Sequence, residues 1–358
     1  MLPKIAILYL CHRDLPWVPD VVDSWSELEY PKDKLAIVMI PNGAKDGVQE
    51  YIRQHVLPRL GVDLPEVIML DDGINRGFSG GNNQGIKWAR ERGFDAVFLN
   101  NGDLRLHPKT IIEAAKMMGS DTQIGSVQSF VCMWKDENVV NTTGGMLHVA
   151  GYGYARDNGK VLERVHRKNG EEIMYASGAA VLYRMSALAQ VGYLEDRFFM
   201  YHEDLELGLR LRFAGYRNVL ATESRVFHDY KFGRNTKMFE WMELYRWDVL
   251  LAYLKIPSFI LLFPLLVTLN VGAWLMAMRG GWFFSKIRAW RSFWTINNMK
   301  LIFSMRSRAR RLRIIPDKRW LAFMTGRIED QGRESAFMDF INTIVDSLWR
   351  LLRSIIVW

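Results

Sequence analysis

Ala96-Val97-Phe98-Leu99-Asn100-Asn101-Gly102-Asp103 is the stretch on which the fold turns. Four apolar residues in succession fit a strand buried on both faces, as in the middle of a parallel sheet. The polar tetrad that follows ends the strand abruptly. In a parallel α/β sheet, ligands bind beyond the carboxyl ends of the strands, and Asp103 falls at such an end. A carboxylate there can hold Mg²⁺ or Mn²⁺ against a diphosphate; the same residues also suit a plain Asn-Gly-Asp turn.

Ile5–Leu10, Leu35–Ile40 and Val67–Leu70 are apolar on both faces in the same way. Between them, helices are expected near Pro19–Leu28, Gly47–Arg59 and Asn82–Arg92. This βαβ rhythm predicts an α/β fold with a doubly wound sheet. The rhythm breaks after Met118, and residues 124–185 read as strand-rich, with glycines at 144–145 and 151–153. A helix is expected over Glu203–Ala214, stopped by Gly215, and then a strand over Asn218–Phe227. The composition changes from about Trp241. A catalytic domain over residues 1–240 and a helical region over 241–358 are therefore expected.

The 358 residues are 49% hydrophobic, which is enough for one large domain with an appendage and excludes a disordered chain. The net charge of +8 is concentrated: Arg279 to Arg319 holds 12 Lys or Arg and one acid, Asp317. With Trp and Phe interspersed, that stretch suits an anionic surface. No nucleic-acid recognition module accompanies it, so lipid head groups are the expected partner. The two cysteines, Cys11 and Cys132, form no metal or disulfide pattern. Ile5–Leu10 is too short for a signal peptide's apolar region, and none is expected.

Three further segments carry chemistry. Asn75-Arg76-Gly77-Phe78-Ser79-Gly80-Gly81-Asn82-Asn83-Gln84-Gly85 leads into a helix. Its glycines permit close backbone approach and a helix N-terminus favours anions, although a flexible loop capped by Asn82 fits too. It is neither the dinucleotide fingerprint nor a P-loop. Phe198-Phe199-Met200-Tyr201-His202-Glu203-Asp204-Leu205-Glu206 opens a helix. Its acids suit the helix dipole, or Asp204 is a general base taking a proton from a hydroxyl. His228 stands at a strand end and is informative only alongside the other pieces.

In order and spacing these segments resemble glycosyltransferase family 2 of the GT-A fold, in particular its rhamnosyltransferase-like branch, over residues 3–245. The family's N-x-G-F-x-G-G-N segment is matched by Asn75 to Asn82, and its DxD-type motif by Asn101-Gly102-Asp103. A following segment is matched by Ser177-Gly178-Ala179 through Arg184, and another by Val191-Gly192 through Arg210. The resemblance implies that Asp103 and His228 hold Mg²⁺ or Mn²⁺ and that Asp204, beside Glu203, is the catalytic base. It also implies that Asn42, Asp46, Asn75, Arg76, Gly77, Gly81, Asn82 and Asn101 contact the donor. Pro41 and Ala44 depart from the family's early D-N-x-S-x-D segment, so Asp71 or Asp72 is the expected base contact. Glu206 stands where the family has Asp. The implied reaction is an inverting displacement from a dTDP- or UDP-sugar, rhamnose by branch, onto a lipid-linked or polysaccharide acceptor.

Ile256–Met278 runs 23 residues without a formal charge and as a helix would be about 34 Å long. A single crossing would put the basic stretch opposite a cytoplasmic catalytic domain, against the positive-inside rule. Pro264 and the amphipathic tail Phe337–Trp358 favour monotopic or re-entrant association at the cytoplasmic face, with Trp282, Trp290 and Trp294 at the interface. Two rivals remain. A nucleotidylyltransferase needs a basic Gly-rich loop after the first strand, which Cys11-His12-Arg13-Asp14 lacks. A catalytically silent membrane-recruiting subunit would not need Asp103, Asp204 and His228 together.

Overall fold

A computed structural model describes residues 2–230, 236–329 and 336–358. Its strands are β1 (Ile5–Cys11), β2 (Leu35–Pro41), β3 (Glu66–Met69), β4 (Ala96–Asn101), β5 (Leu104–Leu106), β6 (Ile124–Met133), β7 (Val140–Thr142), β8 (Gly145–His148), β9 (Gly153–Ala155), β10 (Ala180–Arg184), β11 (Arg217–His228) and β12 (Met324–Thr325). The main sheet runs β3-β2-β1-β4-β10-β6-β11-β5, with β7 on β6. β1 to β4 pair in parallel where they meet, β10 is inserted antiparallel, and β11 is parallel to β6.

Alternation explains the apolar runs. Ile5, Ile7 and Tyr9 enter one core with Trp25 and Ile111, whereas Ala6 and Leu8 enter another with Ile86 and Leu188. A strand covered on both sides needs no polar face. The helix expected at Asn82 begins earlier and spans Gly77–Glu91. Its glycines serve packing: a Cβ on Gly81 would lie 2.4 Å from Leu10, and one on Gly85 2.8 Å from Leu8. The helix expected over Gly47–Arg59 is three short turns of different pitch.

The C-terminal region is joined to the rest by a shared core and a second sheet. β12 pairs in parallel with β8, which pairs with β9. Leu205, Leu209 and Phe213 share a core with Tyr253, Trp320 and Trp349. Several cations of the basic stretch face inward. Lys286 is fully buried, with Glu243 at 2.5 Å and the Asn270 oxygen at 3.2 Å. Arg308 reaches Glu195 at 2.8 Å and Glu206 at 2.9 Å. The sequence-based expectation that this stretch serves an anionic surface therefore covers only part of it. The Ile256–Gly280 helix runs on through Pro264.

One buried acid has little support. Asp248 accepts a single hydrogen bond, from Asn298 Nδ2 at 2.8 Å, and its other oxygen has no partner among the described residues. Burial pushes its carboxyl up to about 7. Because the folded value lies above the unfolded one, folding is penalised progressively as pH rises from about 4 to about 7. Asp248→Asn is expected to raise the thermal midpoint at pH 8 and leave it nearly unchanged at pH 4. Equal midpoint shifts at both pH values would contradict this account.

Candidate active site

Antiparallel pairing of β5 and β11 sets His228 opposite Leu104. The next peptide fixes the approach, because the Asp229 N–H donates to the Asp103 carbonyl at 3.0 Å. The His228 and Asp103 side chains then meet, with Nε2 3.0 Å from Oδ1. On the far side, His228 Nδ1 lies 2.9 Å from the Asn141 oxygen, and the Asn141 amide nitrogen is directed to Asn158. An amide oxygen accepts, so Nδ1 carries the proton in the neutral ring. The Nε2 lone pair then faces a carboxylate oxygen. Two acceptors at that separation are reconciled by a proton or a cation between them.

The surroundings are acidic. Asp14 packs on Gly102, where a Cβ would come within 2.3 Å of its carboxyl carbon, so only glycine fits the middle of this motif. Burial, opposed by the His12 N–H and reinforced by Asp103 and Asp46, pushes the Asp14 carboxyl up to about 7. Asp46 itself accepts from the Leu15 N–H at 3.0 Å. Among the described residues no three His, Cys, Asp or Glu side chains are grouped to hold a metal ion alone. The Asp103–His228 pair would fit a cation if diphosphate and water supplied its remaining ligands.

The segment from Asn75 to Gly85 is clamped from two sides. Asn42 Oδ1 accepts from the Arg76 N–H at 2.8 Å, and Asn42 Nδ2 donates to the Gly77 carbonyl at 3.0 Å and to Asn75 Oδ1 at 3.3 Å. Gly77 adopts φ +69° with a Cβ position 2.3 Å from the Phe199 carbonyl, and that carbonyl accepts from the Phe78 N–H at 2.7 Å. Asn82 donates to the Phe78 carbonyl, and its own oxygen is buried without a partner among the described residues. Asp72 and Arg76 form an exposed pair at 2.6 Å. Gly81 has a packing role that accounts for it without a ligand.

Phe199 leads directly to the acids. Tyr201 and His202 both have positive φ, 71° and 66°, which turns the chain into the Glu203–Phe213 helix. His202 is buried, and its Nε2 lies 3.0 Å from the Gly151 carbonyl. Asp204 is partly exposed and accepts the Gly178 N–H at 3.0 Å. Burial raises its carboxyl, while the Gly178 and Leu205 N–H groups pull the other way. Glu203 is buried with one oxygen unpartnered among the described residues. Burial and then the Asp204 charge push its carboxyl well up. Residues 178 and 179 connect the two acidic centres, since the Ala179 carbonyl accepts from the Asn101 N–H at 3.1 Å. Asp103 and Asp204 thus stand on one rim of the sheet.

Residues 3–244 match the family described as "Glycosyltransferase like family 2". The chain belongs to that family. It is 28% identical over 211 residues to the N-acetylglucosaminyl-diphospho-decaprenol L-rhamnosyltransferase of Mycobacterium tuberculosis, covering 54% of this chain and 66% of that protein. The chain thus spans just under two thirds of that relative's length. Among solved structures it is similar to GalNAc-T7 with UDP, GalNAc and Mn²⁺ (TM-score 0.54, 13% identity, 70% of this chain and 50% of that one). It is also similar to the mannosyltransferase PcManGT of Pyrobaculum calidifontis with GDP-Man and Mn²⁺ (TM-score 0.51, 14% identity, 98% and 88%). At these identities the likeness is one of fold, the GT-A glycosyltransferase fold.

Two residues of this family member's candidate site escaped the sequence reading. Asn141 fixes the His228 ring, and its signal was weak: a buried polar run, Asn141-Thr142-Thr143, beginning in a short strand. Asp14 was legible only as part of a segment lacking a basic loop.

Proposed function

We propose that this glycosyltransferase moves a sugar, with inversion, from a dTDP- or UDP-sugar to a lipid-linked glycan acceptor at the cytoplasmic membrane face. Rhamnose is the proposed sugar, supported by the name of the mycobacterial relative. The observation that carries the reading is the Asp103–His228 pair at 3.0 Å on the same rim as the partly exposed Asp204. Asp103 and His228 would hold Mg²⁺ or Mn²⁺; two similar folds were solved with Mn²⁺. Such an ion supplies charge neutralisation for the diphosphate leaving group.

This chain's own residues do the rest. The clamped Asn75–Phe78 backbone orients the donor and Asn42 keeps it rigid. Asp204, partly exposed where Glu203 is buried, accepts the proton of the acceptor hydroxyl. The acceptor oxygen bonds to the anomeric carbon as the bond from that carbon to the phosphate oxygen breaks on the opposite face. Membrane association is supported by the Ile256–Gly280 helix, which is long and apolar enough to cross a bilayer and only 17% buried over its most apolar stretch. The Ala336–Ile355 helix adds exposed Phe340, Ile344, Leu348 and Leu351 at helical spacing. We read both as monotopic or re-entrant.

Release of free nucleoside diphosphate from a panel of dTDP-, UDP- and GDP-sugars tests the reaction. EDTA is expected to abolish release, Mn²⁺ or Mg²⁺ to restore it, and Asp103→Asn to lower it at least about 100-fold. Undiminished release in EDTA would refute the metal role. A silent subunit would release none under any condition.

A further inference from the structure

Beyond the active site, a cleft of about 350 Å³ is lined by Lys255, Arg306, Arg310 and Arg313 together with Ile256 and Pro257. It lies where the helices Thr236–Tyr253, Ile256–Gly280 and Ile296–Leu312 converge. Two of its cations are fixed. Arg306 donates to the Leu251 and Leu254 carbonyls, at 2.5 and 2.9 Å. Arg313 donates to Asp317 and to the Tyr253 carbonyl. The acid beside them, Asp317, is fully engaged: Arg313 and Trp320 Nε1 take one oxygen, and the Lys255 N–H and Ser258 Oγ take the other. Among the described residues, neither the Lys255 ammonium nor the Arg310 guanidinium has a carboxylate partner. Burial, and then repulsion from Arg310 and Arg313, holds the Arg306 guanidinium below its ordinary range. An anion in the cleft would relieve that repulsion.

The position of the cleft selects the source of the anion. The end of the C-terminal helix meets the start of the apolar helix here, with Trp358 Nε1 donating to Ser258 Oγ at 2.8 Å. Large apolar side chains next to this junction in the chain are exposed: Ile256 at 57%, Ile260 at 66% and Val357 at 68%. A cationic cleft whose wall includes Ile256 and Pro257, at the start of an exposed apolar helix, matches a lipid, whose phosphate lies next to its acyl chains.

We propose that the cleft lined by Lys255, Arg306, Arg310 and Arg313 binds the phosphate of an anionic membrane lipid. The site goes beyond the membrane association read above by giving that association a lipid preference and a fixed contact point. It involves none of the residues assigned to sugar transfer.

Vesicle binding by the full chain tests it, using phosphatidylcholine alone and phosphatidylcholine with phosphatidylglycerol. The wild type is expected to bind the anionic vesicles about tenfold or more tightly than the neutral ones. Lys255→Ala/Arg310→Ala should lose most of that preference while binding neutral vesicles unchanged, and Arg310→Lys should keep it. Arg291→Ala/Lys300→Ala removes the same charge from exposed positions of the same stretch and should keep most of the preference. Equal losses in the two double variants would mean diffuse attraction and overturn the site. Inorganic phosphate that competes at sub-millimolar concentration would assign the cleft to a soluble anion and overturn the lipid. No binding to either vesicle would overturn the membrane reading as well. Matching thermal midpoints among the variants confirm that each is folded.

Discussion

Asp204→Asn is expected to lower transfer by about 10²–10⁴-fold while leaving donor affinity close to wild type. The amide oxygen can still accept the Gly178 N–H that holds the carboxylate at 3.0 Å, and only the helix N-terminal Leu205 N–H, now 2.7 Å from the other oxygen, loses its acceptor. What is lost is the ability to take the acceptor's proton, worth about 3–5 kcal/mol of transition-state stabilisation. Calorimetric titration with the nucleoside diphosphate and Mn²⁺ separates binding from chemistry. The pH profile adds a second signature. Burial raises the Asp204 carboxyl, so wild-type kcat/KM should fall on the acid side at a pH above that of an ordinary aspartate. In the variant that acid limb should disappear from the residual rate. Full transfer by Asp204→Asn would remove the residue from the base role, and loss of donor binding would show that the substitution had disturbed the rim.

Why the fold was so legible, and the site only partly so, follows from the range of the interactions. The central strands announce themselves because each is covered on both faces, which demands unbroken apolar runs such as Ile5–Leu10. Asp103, Asp204 and His228 were legible as types in an order. Their convergence depends on the β5–β11 register and on residues 178–179 beside Asn101, contacts that no local pattern encodes. The glycines of residues 75–85 read as room for close backbone approach, and a second reason for two of them is hidden from the sequence: a side chain at Gly81 or Gly85 would collide with Leu10 or Leu8 across the helix–sheet contact. The basic stretch is a parallel case, because charge is visible in sequence and its partner is not. Lys286 finds Glu243 from 43 residues away, and Arg308 finds Glu206 from 102.

That last pair carries the largest stability effect. Glu206 is fully buried, and its carboxylate is held by Arg210 at 2.7 Å, Arg308 at 2.9 Å and the Tyr253 hydroxyl at 2.5 Å. It ties the helix that begins with Glu203 and Asp204 to the Ile296–Leu312 helix of the C-terminal region. Glu206→Ala strands the fully buried Arg210 without its counter-charge and opens a void, and is expected to cost about 3–5 kcal/mol. Against a typical total of about 5–15 kcal/mol, that threatens folding at 37 °C. Glu206→Gln keeps the volume and removes the charge, so it should lose less and remain measurable by denaturant melts. Burial pushes the Glu206 carboxyl up, but Arg210 and Arg308 outweigh it and hold the group below the ordinary range. A depressed folded value means its contribution is complete above the unfolded value, near pH 4.5, and fades as pH falls through the folded one. The gap between wild type and Glu206→Gln should therefore be widest at neutral pH and close under acid conditions. Combined with Arg308→Gln, the loss should be smaller than the sum of the two single losses, because each substitution already removes the Glu206–Arg308 pair. Strictly additive losses, or a gap that does not narrow in acid, would mean that Glu206 contributes volume alone and that the two regions are joined by their apolar core rather than by this charge.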